Sequence, residues 1–184
     1  MTEVRLAELA DVPIVGQALA DAFQRDALTA WFLPDPAARQ EEMEAMFARH
    51  VPTSIEAGGR LYMTADAQAG ALWLPPGSEH ENEPPPGSTE LVVESFARVN
   101  AARPQVPHWY LSFIGSRTPA QGRGSALLKH FQRLADEERV PTALWTANPR
   151  NVPFYQRNGY SVLRELDFLD ARAWWFWRDA DPVG

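Results

Sequence analysis

Cysteine is absent from this chain of 184 residues, which excludes disulfide bonds, thiol nucleophiles and cysteine-ligated metal or iron–sulfur sites. A chain without thiols fits a reducing compartment, and we expect a cytoplasmic protein. Basic residues are scarce: 17 Lys and Arg stand against 24 Asp and Glu, so the net charge is -7. Because nucleic-acid affinity depends on neutralising phosphates, we expect no nucleic-acid partner. The acidic balance suits a cationic small substrate, although solubility explains it equally well.

Long apolar runs are missing as well. No stretch approaches the roughly 18 apolar residues that cross a bilayer, and the first ten residues contain no apolar segment of signal-peptide length. We therefore expect no membrane partner. The chain is the size of one ordinary domain, and 45% of its residues are hydrophobic, which is enough for one core. We predict a single domain over residues 1–184, as a monomer or a homodimer.

Apolar periodicity and turn residues predict alternating strands and helices. Asp11 is predicted to cap the first helix, which continues to Phe23. Residues 29–36 are aromatic and broken by proline and predict a loop, and the proline-rich residues 75–88 predict a second, exposed loop. The predicted strands are 4–7, 60–65, 69–74, 109–114, 142–146, 160–169 and 173–177. The other predicted helices are 37–50, 91–102 and 125–139, with a short helix or turn at 149–159.

A glycine-containing loop joins the strand at 109–114 to the helix at 125–139. Its two glycines allow close backbone approach, and the first N–H groups of the helix have no intrahelical partners. The helix dipole adds roughly half a positive charge there, so we predict an anion site for a pyrophosphate, with Arg123 adding a charge contact. An ordinary glycine-bearing helix start is the alternative. The loop residues are Gln121, Gly122, Arg123, Gly124, Ser125 and Ala126.

Two other phosphate-binding signatures are absent. The P-loop pattern G-x-x-x-x-G-K-[ST] does not occur, and the dinucleotide pattern G-x-G-x-x-G/A fails at Leu127. Both absences count against nucleotide hydrolysis and NAD binding.

The loop resembles the pyrophosphate loop of the GCN5-related N-acetyltransferase (GNAT) superfamily, Q/R-x-x-G-x-G/A, at Gln121, Gly124 and Ala126. In that family the loop follows the fourth strand and opens a helix, and the next strand leads to an Asn-containing turn and a Tyr four residues before a Gly-aromatic pair. The corresponding residues here are Asn148, Asn151, Tyr155, Gly159 and Tyr160. The stretches 107–111, 121–124 and 149–155 narrow the resemblance to puromycin N-acetyltransferase-like members.

The resemblance implies an α/β fold of three layers, with a mixed, mostly antiparallel sheet that splays between strands four and five and helices on both faces. It implies acetyl-coenzyme A as cofactor, with the pyrophosphate at the loop 121–126. The pantetheine arm would pair with the backbone of the fourth strand, and the turn and helix after the fifth strand would complete the site. The remaining implied cofactor residues are Ile114, Gly115, Ser116, Asn148, Asn151 and Tyr155. Ser116 departs from the family pattern, which usually has an apolar residue there.

The resemblance implies that Tyr155 is the general acid that protonates the departing thiolate, because its phenol is protonated at neutral pH. A buried aromatic beside Phe154 is the alternative. No base is evident: puromycin-type relatives commonly carry Glu where Trp145 stands, so water or His108 is the candidate relay. We expect no metal, since His50, His80 and His130 show no ligand spacing with a carboxylate.

Aromatic walls suit apolar bodies and cationic amines, and they predict which residues contact the substrate. We therefore expect an N-acetyltransferase that acts on a small-molecule amine. A catalytically inert acyl-coenzyme A sensor remains an alternative, because the strand-five carboxylate is missing; a purely structural protein and a protein-acceptor enzyme are further alternatives. The predicted substrate residues are Trp31, Phe32, Trp73, Trp109 and Trp145.

Overall fold

The β-prone runs of the sequence pair into one mixed sheet in the computed structural model, which describes residues 2–78 and 82–181. The strands are β1 (Val4–Leu6), β2 (Arg60–Thr64), β3 (Ala69–Leu74), β4 (Trp109–Ser116), β5 (Thr142–Thr146), β6 (Ser161–Phe168) and β7 (Ala171–Arg178). Their order is β1-β2-β3-β4-β5-β7-β6. Only β4 and β5 are parallel among the described neighbours, which confirms the expected mixed, mostly antiparallel sheet.

The parallel strands β4 and β5 separate after two residue pairs. Trp109 pairs with Thr142 and Tyr110 with Ala143, and no later pair follows in the described part of the chain. β4 nonetheless stays paired with β3 as far as Ser116. The edge of β4 beyond Tyr110 is therefore open toward β5, which confirms the expected splay.

Helices cover both faces of the sheet and complete the three layers. The described helices are α1 (Val12–Phe23), α2 (Ala27–Phe32), α3 (Pro36–Glu56), α4 (Glu90–Ala101), α5 (Arg123–Glu138) and α6 (Val152–Arg157). Residues of α1, α3 and α4 form one apolar core around Leu19, Phe47 and Phe96. Residues of α5 and α6 form the other core around Phe131 and Tyr155. None of the helices in the described ranges has the length and apolar character needed to cross a membrane.

Two paired glycines let α1 lie close against the sheet. Gly70 of β3 and Gly115 of β4 are register partners. A Cβ at Gly70 would lie 2.5 Å from Val15 Cγ1, and a Cβ at Gly115 would lie 2.7 Å from the Cβ of Ala22. Because both distances are far below van der Waals contact, only glycine permits this approach. α1 is thereby held against the half of β4 that has left β5.

The predicted loop at 29–36 is partly helical, which corrects the sequence prediction. α2 begins after Asp26, whose Oδ1 accepts from the N–H groups of Leu28 and Thr29 at 3.1 Å each. This cap satisfies amides that a short helix otherwise leaves unpaired, and it fixes the aromatic residues of α2 on a rigid element.

Two helix boundaries also differ from the predicted ones. α3 continues past His50 and through Pro52 because Val51 and Ser54 are buried, so tertiary packing outweighs the local cost of the proline. α5 begins at Arg123, before the predicted start at 125. These changes leave the order of elements as expected.

Candidate active site

A cavity of about 960 Å³ opens where β4 and β5 separate. Its walls come from α1, α2, α3 and α4 on one face of the sheet, and it extends past β4 and β5 to α6. The volume lies in the range of small-molecule pockets. Four of the predicted cofactor residues line it: Ile114, Asn148, Asn151 and Tyr155.

Tyr155 lies in α6, where its side chain is buried but borders the cavity. Its ring centroid is 6.0 Å from that of Tyr160 and 5.4 Å from that of Phe176. Burial, reinforced by electrostatic interactions with Tyr160, Tyr110 and Asp26, raises the pKa of Tyr155 above its usual value. The phenol therefore keeps its proton throughout the neutral range, as a general acid requires.

The turn after β5 is held by side-chain hydrogen bonds. Asn148 Oδ1 accepts from the N–H of Arg150 at 3.0 Å, and Asn148 Nδ2 donates to Asp26 Oδ2 at 3.2 Å. Asn151 Nδ2 donates to Thr146 Oγ1 at 3.3 Å. The two asparagines thus fix the turn, and Asn148 also ties it to the start of α2.

The N-terminus of α5 presents open backbone of the kind that binds anions. Gly122 at the N-cap has a φ of 75°, and it has no side chain that could accept hydrogen bonds from the N–H groups of the first turn. Ala126 N donates to Gly122 O at 2.9 Å, and the N–H groups before it have no intrahelical acceptor. A Cβ at Gly124 would lie 3.2 Å from the ring of Phe154, so this turn packs on α6 next to Tyr155.

The Arg123 guanidinium is engaged by an acidic side chain, so its predicted contact with a pyrophosphate is not pre-formed. Arg123 Nε and Nη2 donate to Asp66 Oδ2 at 2.9 and 2.7 Å, and Nη1 donates to Gln121 Oε1. Hydrogen bonds from Arg123 and Thr64 lower the pKa of Asp66 to about 2. The turn between β2 and β3 thus anchors the loop that precedes α5.

Ile114, Gly115 and Ser116 lie on the stretch of β4 that has left β5. In an antiparallel ladder alternate residues face the partner strand, so the others direct their N–H and C=O groups to the open side. Ser116 stands where the family pattern has an apolar residue. Its Oγ donates to Thr118 O at 2.9 Å, so the hydroxyl finds its hydrogen-bond partner within the loop. The open edge of β4 is the kind of backbone to which an extended ligand can add.

The five predicted substrate aromatics are divided between cavity and core. Phe32 and Trp145 line the cavity, and Trp31 is exposed with its ring 4.8 Å from that of Phe32. Trp73 and Trp109 lie instead in the core beneath α5, where Trp73 is fully buried. Neither of these two is among the described residues that line the cavity, because their strand positions place them on the sheet face opposite the cavity walls.

Replacing Trp73 with Ala is expected to destabilise the fold without changing ligand affinity in the folded protein. The indole stacks on Phe131 with ring centroids 4.1 Å apart, and its loss leaves a large cavity. Removal of a buried aromatic of this size costs about 3–5 kcal/mol. Urea unfolding and acetyl-coenzyme A titration measure the two effects separately; a normal free energy of unfolding with lost binding would contradict the core assignment.

Trp145 lines the cavity where puromycin-type relatives carry Glu, and it is bonded to the proline-rich loop. Trp145 Nε1 and Tyr110 OH both donate to Asn82 Oδ1, at 3.0 and 3.1 Å. Asn100 Oδ1 of α4 accepts from the N–H of Asn82 at 3.0 Å. These bonds hold residues 82–86 as a wall of the cavity. The sequence predicted only that this loop is exposed, without this role.

His108, the candidate proton relay, is not among the described residues that line the cavity. It is buried at the opposite end of β4, with its ring 5.6 Å from that of Trp177 and its Nδ1 2.6 Å from Val106 O. Within the described ranges no group of three or more His, Asp and Glu side chains is arranged to hold a metal ion. His80 lies outside the described residues.

Sequence analysis did not single out Asp26, which lines the cavity at the base of α2. A local signal existed, since Asp followed three residues later by Thr is compatible with a helix cap. The contact with Asn148 gave no such signal, because the two residues are 122 positions apart in the sequence.

The chain matches no known protein-family model. Its fold matches solved acetyltransferases over nearly their full length. An acetyltransferase of Corynebacterium glutamicum related to the histone acetyltransferase HPA2 is 22% identical, with a TM-score of 0.74 and 100% of both chains covered. The PaiA N-acetyltransferase of Thermoplasma acidophilum, solved with coenzyme A, is 10% identical, with a TM-score of 0.64 over 97% of this chain and 99% of its own.

A third similar structure comes from an insect. A protein of the yellow fever mosquito Aedes aegypti described as arylalkylamine N-acetyltransferase 7 is 11% identical, with a TM-score of 0.66 over 97% of this chain and 87% of its own. The chain therefore has the fold of the GNAT acetyltransferases.

Proposed function

We propose that this chain is an N-acetyltransferase that moves the acetyl group of acetyl-coenzyme A to the primary amine of a small molecule, by direct attack in a ternary complex. The observation that carries the proposal is the open edge of β4, which lies between the N-terminus of α5 and a cavity bordered by Tyr155. The coenzyme A bound to the Thermoplasma protein and the amine named for the mosquito protein support it. The motifs at 107–111, 121–124 and 149–155 place the chain, in our proposal, with puromycin-type members.

The residues present fit coenzyme A in two respects. The outward N–H groups at the start of α5 suit a pyrophosphate, and the backbone groups of β4 that face the open side between Leu111 and Gly115 suit an extended amide-bearing arm. Bound acetyl-coenzyme A supplies an activated acetyl thioester.

The chain's own residues supply the remaining chemistry. Tyr155 holds a proton at its phenolic oxygen and would deliver it to the departing thiolate, while the proton that the attacking amine loses would pass to water and water would reprotonate the phenol. Backbone N–H groups on the open side of β4, near Ile114 and Gly115, would stabilise negative charge that develops on a carbonyl oxygen.

Isothermal titration of the purified chain with acetyl-coenzyme A, followed by thiol-release assays over a panel of amines, tests the proposal. We expect micromolar binding and turnover with at least one small amine. Binding without turnover on any amine or peptide acceptor would favour the sensor alternative, and turnover confined to peptide acceptors would replace the small-molecule substrate. The absence of binding would overturn the proposal.

A further inference from the structure

Three carboxylates line the cavity in the described part of the chain, and they differ in burial. Glu42 of α3 and Glu83 of the proline-rich loop are exposed, whereas Asp26 is half-buried at the base of α2. Asp26 also bonds to Asn148, which follows β5 at the point where the sheet has opened. Asp26 is therefore the carboxylate that the fold brings to the separated strands.

One carboxylate oxygen of Asp26 accepts three hydrogen bonds from the protein, whereas the other accepts one and can accept another. Oδ1 accepts from Leu28 N, Thr29 N and Thr29 Oγ1 at 3.1, 3.1 and 3.3 Å. Oδ2 accepts from Asn148 Nδ2 at 3.2 Å. Since each carboxylate oxygen offers about two lone pairs, Oδ2 has room for a further donor in the cavity. The cap on α2 holds the carboxylate in place, so a ligand need not order it.

Asp26 is linked to the element that carries Tyr155: it accepts from Asn148, and Asn151 N donates to Asn148 O at 3.0 Å directly before α6 begins. After burial and the neighbouring tyrosines, Asp26 is one of the groups that raise the pKa of Tyr155. Both residues border the same cavity. A nitrogen bound at Asp26 Oδ2 is thus held near the end of the cavity where Tyr155 carries its proton.

One wall of the cavity is suited to an apolar group. Phe32, Phe96 and Trp145 form a continuous aromatic wall, with successive ring centroids 6.1 Å apart. Met43 and Met46 of α3 face the same space. An amine that fills this cavity therefore carries its charge at one end and an aromatic or aliphatic body at the other.

On the basis of the proposed N-acetyltransferase function, we propose that Asp26 binds the amine of the acceptor and that the acceptor is an arylalkylamine-like monoamine. Asp26 Oδ2 accepts a hydrogen bond from an N–H of the acceptor's amine, in either its ammonium or its neutral form. The aromatic body lies along Phe32, Phe96 and Trp145. Asp26 is therefore a binding residue that sets both the orientation of the nitrogen and the preference for a cationic substrate.

The test compares Asp26→Asn with Glu42→Gln, using 2-phenylethylamine as substrate. Asn caps helices as well as Asp does, so Asp26→Asn removes the charge and retains α2, at the loss of the hydrogen bond that Asp26 Oδ2 accepts from Asn148 Nδ2. We expect the KM for 2-phenylethylamine to rise by about 10- to 100-fold, the range of a charge-assisted hydrogen bond, with the affinity for acetyl-coenzyme A unchanged. Glu42→Gln removes a charge from the same cavity and is expected to change this KM by less than about 3-fold, as for an exposed ion pair.

A neutral ligand separates charge recognition from damage to the cavity wall. 2-Phenylethanol has the same body without the amine, so its inhibition constant should be equal in the parent and in Asp26→Asn. Equal weakening of both ligands, an unchanged KM in Asp26→Asn, or equal effects of the two substitutions would overturn the role of Asp26.

The substrate class has its own overturning result. One such result is that the unsubstituted chain binds acetyl-coenzyme A and yet acetylates 1,4-diaminobutane in place of 2-phenylethylamine; another is that it acetylates neither amine. Either result would overturn the arylalkylamine class and leave the cofactor site standing. A parent that does not bind acetyl-coenzyme A would instead count against the proposed function itself.

Discussion

Gly122→Glu is expected to abolish binding of acetyl-coenzyme A in a protein that still folds. Gly122 caps α5 with a φ of 75°, and a Cβ there would meet nothing within 4 Å. The new carboxylate would stand where we place the pyrophosphate. Two like charges about 4 Å apart repel by about 4 kcal/mol at an effective dielectric of about 20, so the affinity should fall by roughly 100-fold or more. Isothermal titration measures the loss.

Gly77→Glu is the matched control for this substitution. Gly77 has a φ of 79°, and a Cβ there would also meet nothing within 4 Å. The two variants therefore carry the same charge change and the same backbone strain, but Gly77 follows the end of β3 that pairs with the start of β4, whereas the loop to α5 leaves the other end of β4. We expect Gly77→Glu to bind acetyl-coenzyme A like the parent. Equal losses in both variants would mean that strain or net charge, and not the anion site, causes the effect.

Tyr155→Phe is expected to lower turnover by about 10²–10⁴-fold, the contribution of a positioned general acid, while the affinity for acetyl-coenzyme A is retained. Phe keeps the ring contacts with Tyr160 and Phe176 and removes only the proton donor. Because burial raises the pKa of Tyr155 above its usual value, ionisation of this phenol should not lower the parent's rate at or below about pH 10. Steady-state rates across pH, with titration of acetyl-coenzyme A, measure both effects.

Tyr160→Phe provides the control for loss of a buried tyrosine hydroxyl. Tyr160 is also buried, and burial raises its pKa to about 12, but it does not line the cavity in the described residues. Its hydroxyl accepts from Thr142 Oγ1 at 3.1 Å, so the substitution should cost about 1 kcal/mol of stability and little turnover. If Tyr155→Phe turns over as fast as the parent, Tyr155 is not the general acid, and the alternative, a buried aromatic that only packs, is favoured.

The sequence predicted the sheet better than the helix ends. The strands at 142–146 and 69–74 were placed correctly because short apolar runs bounded by turn residues carry a strong local signal. α2 was missed because its cap, Asp26, stands next to proline-broken aromatic residues that read as a loop. α3 was predicted too short because Pro52 is a local stop signal that burial of Val51 overrides.

Candidate site residues were predictable where a motif is contiguous. The loop 121–126 was singled out because its glycines and the following helix lie together in the sequence, and α5 begins within it, at Arg123. The substrate aromatics were not separable in the same way. Trp73 and Trp145 both lie on strands, and only the sheet pairing decides which face of the sheet each one occupies.

The sequence by itself determined the absence of thiol chemistry, the order of the strands and of the helices other than α2, and the motif at the start of α5, because each of these depends on composition or on neighbours in the chain. The tertiary structure alone decided that β4 and β5 part after Tyr110, that Arg123 is held by Asp66, and that Asp26 meets Asn148 at the opening. These contacts join residues that are tens of positions apart or more, and no local periodicity or spacing encodes such distances.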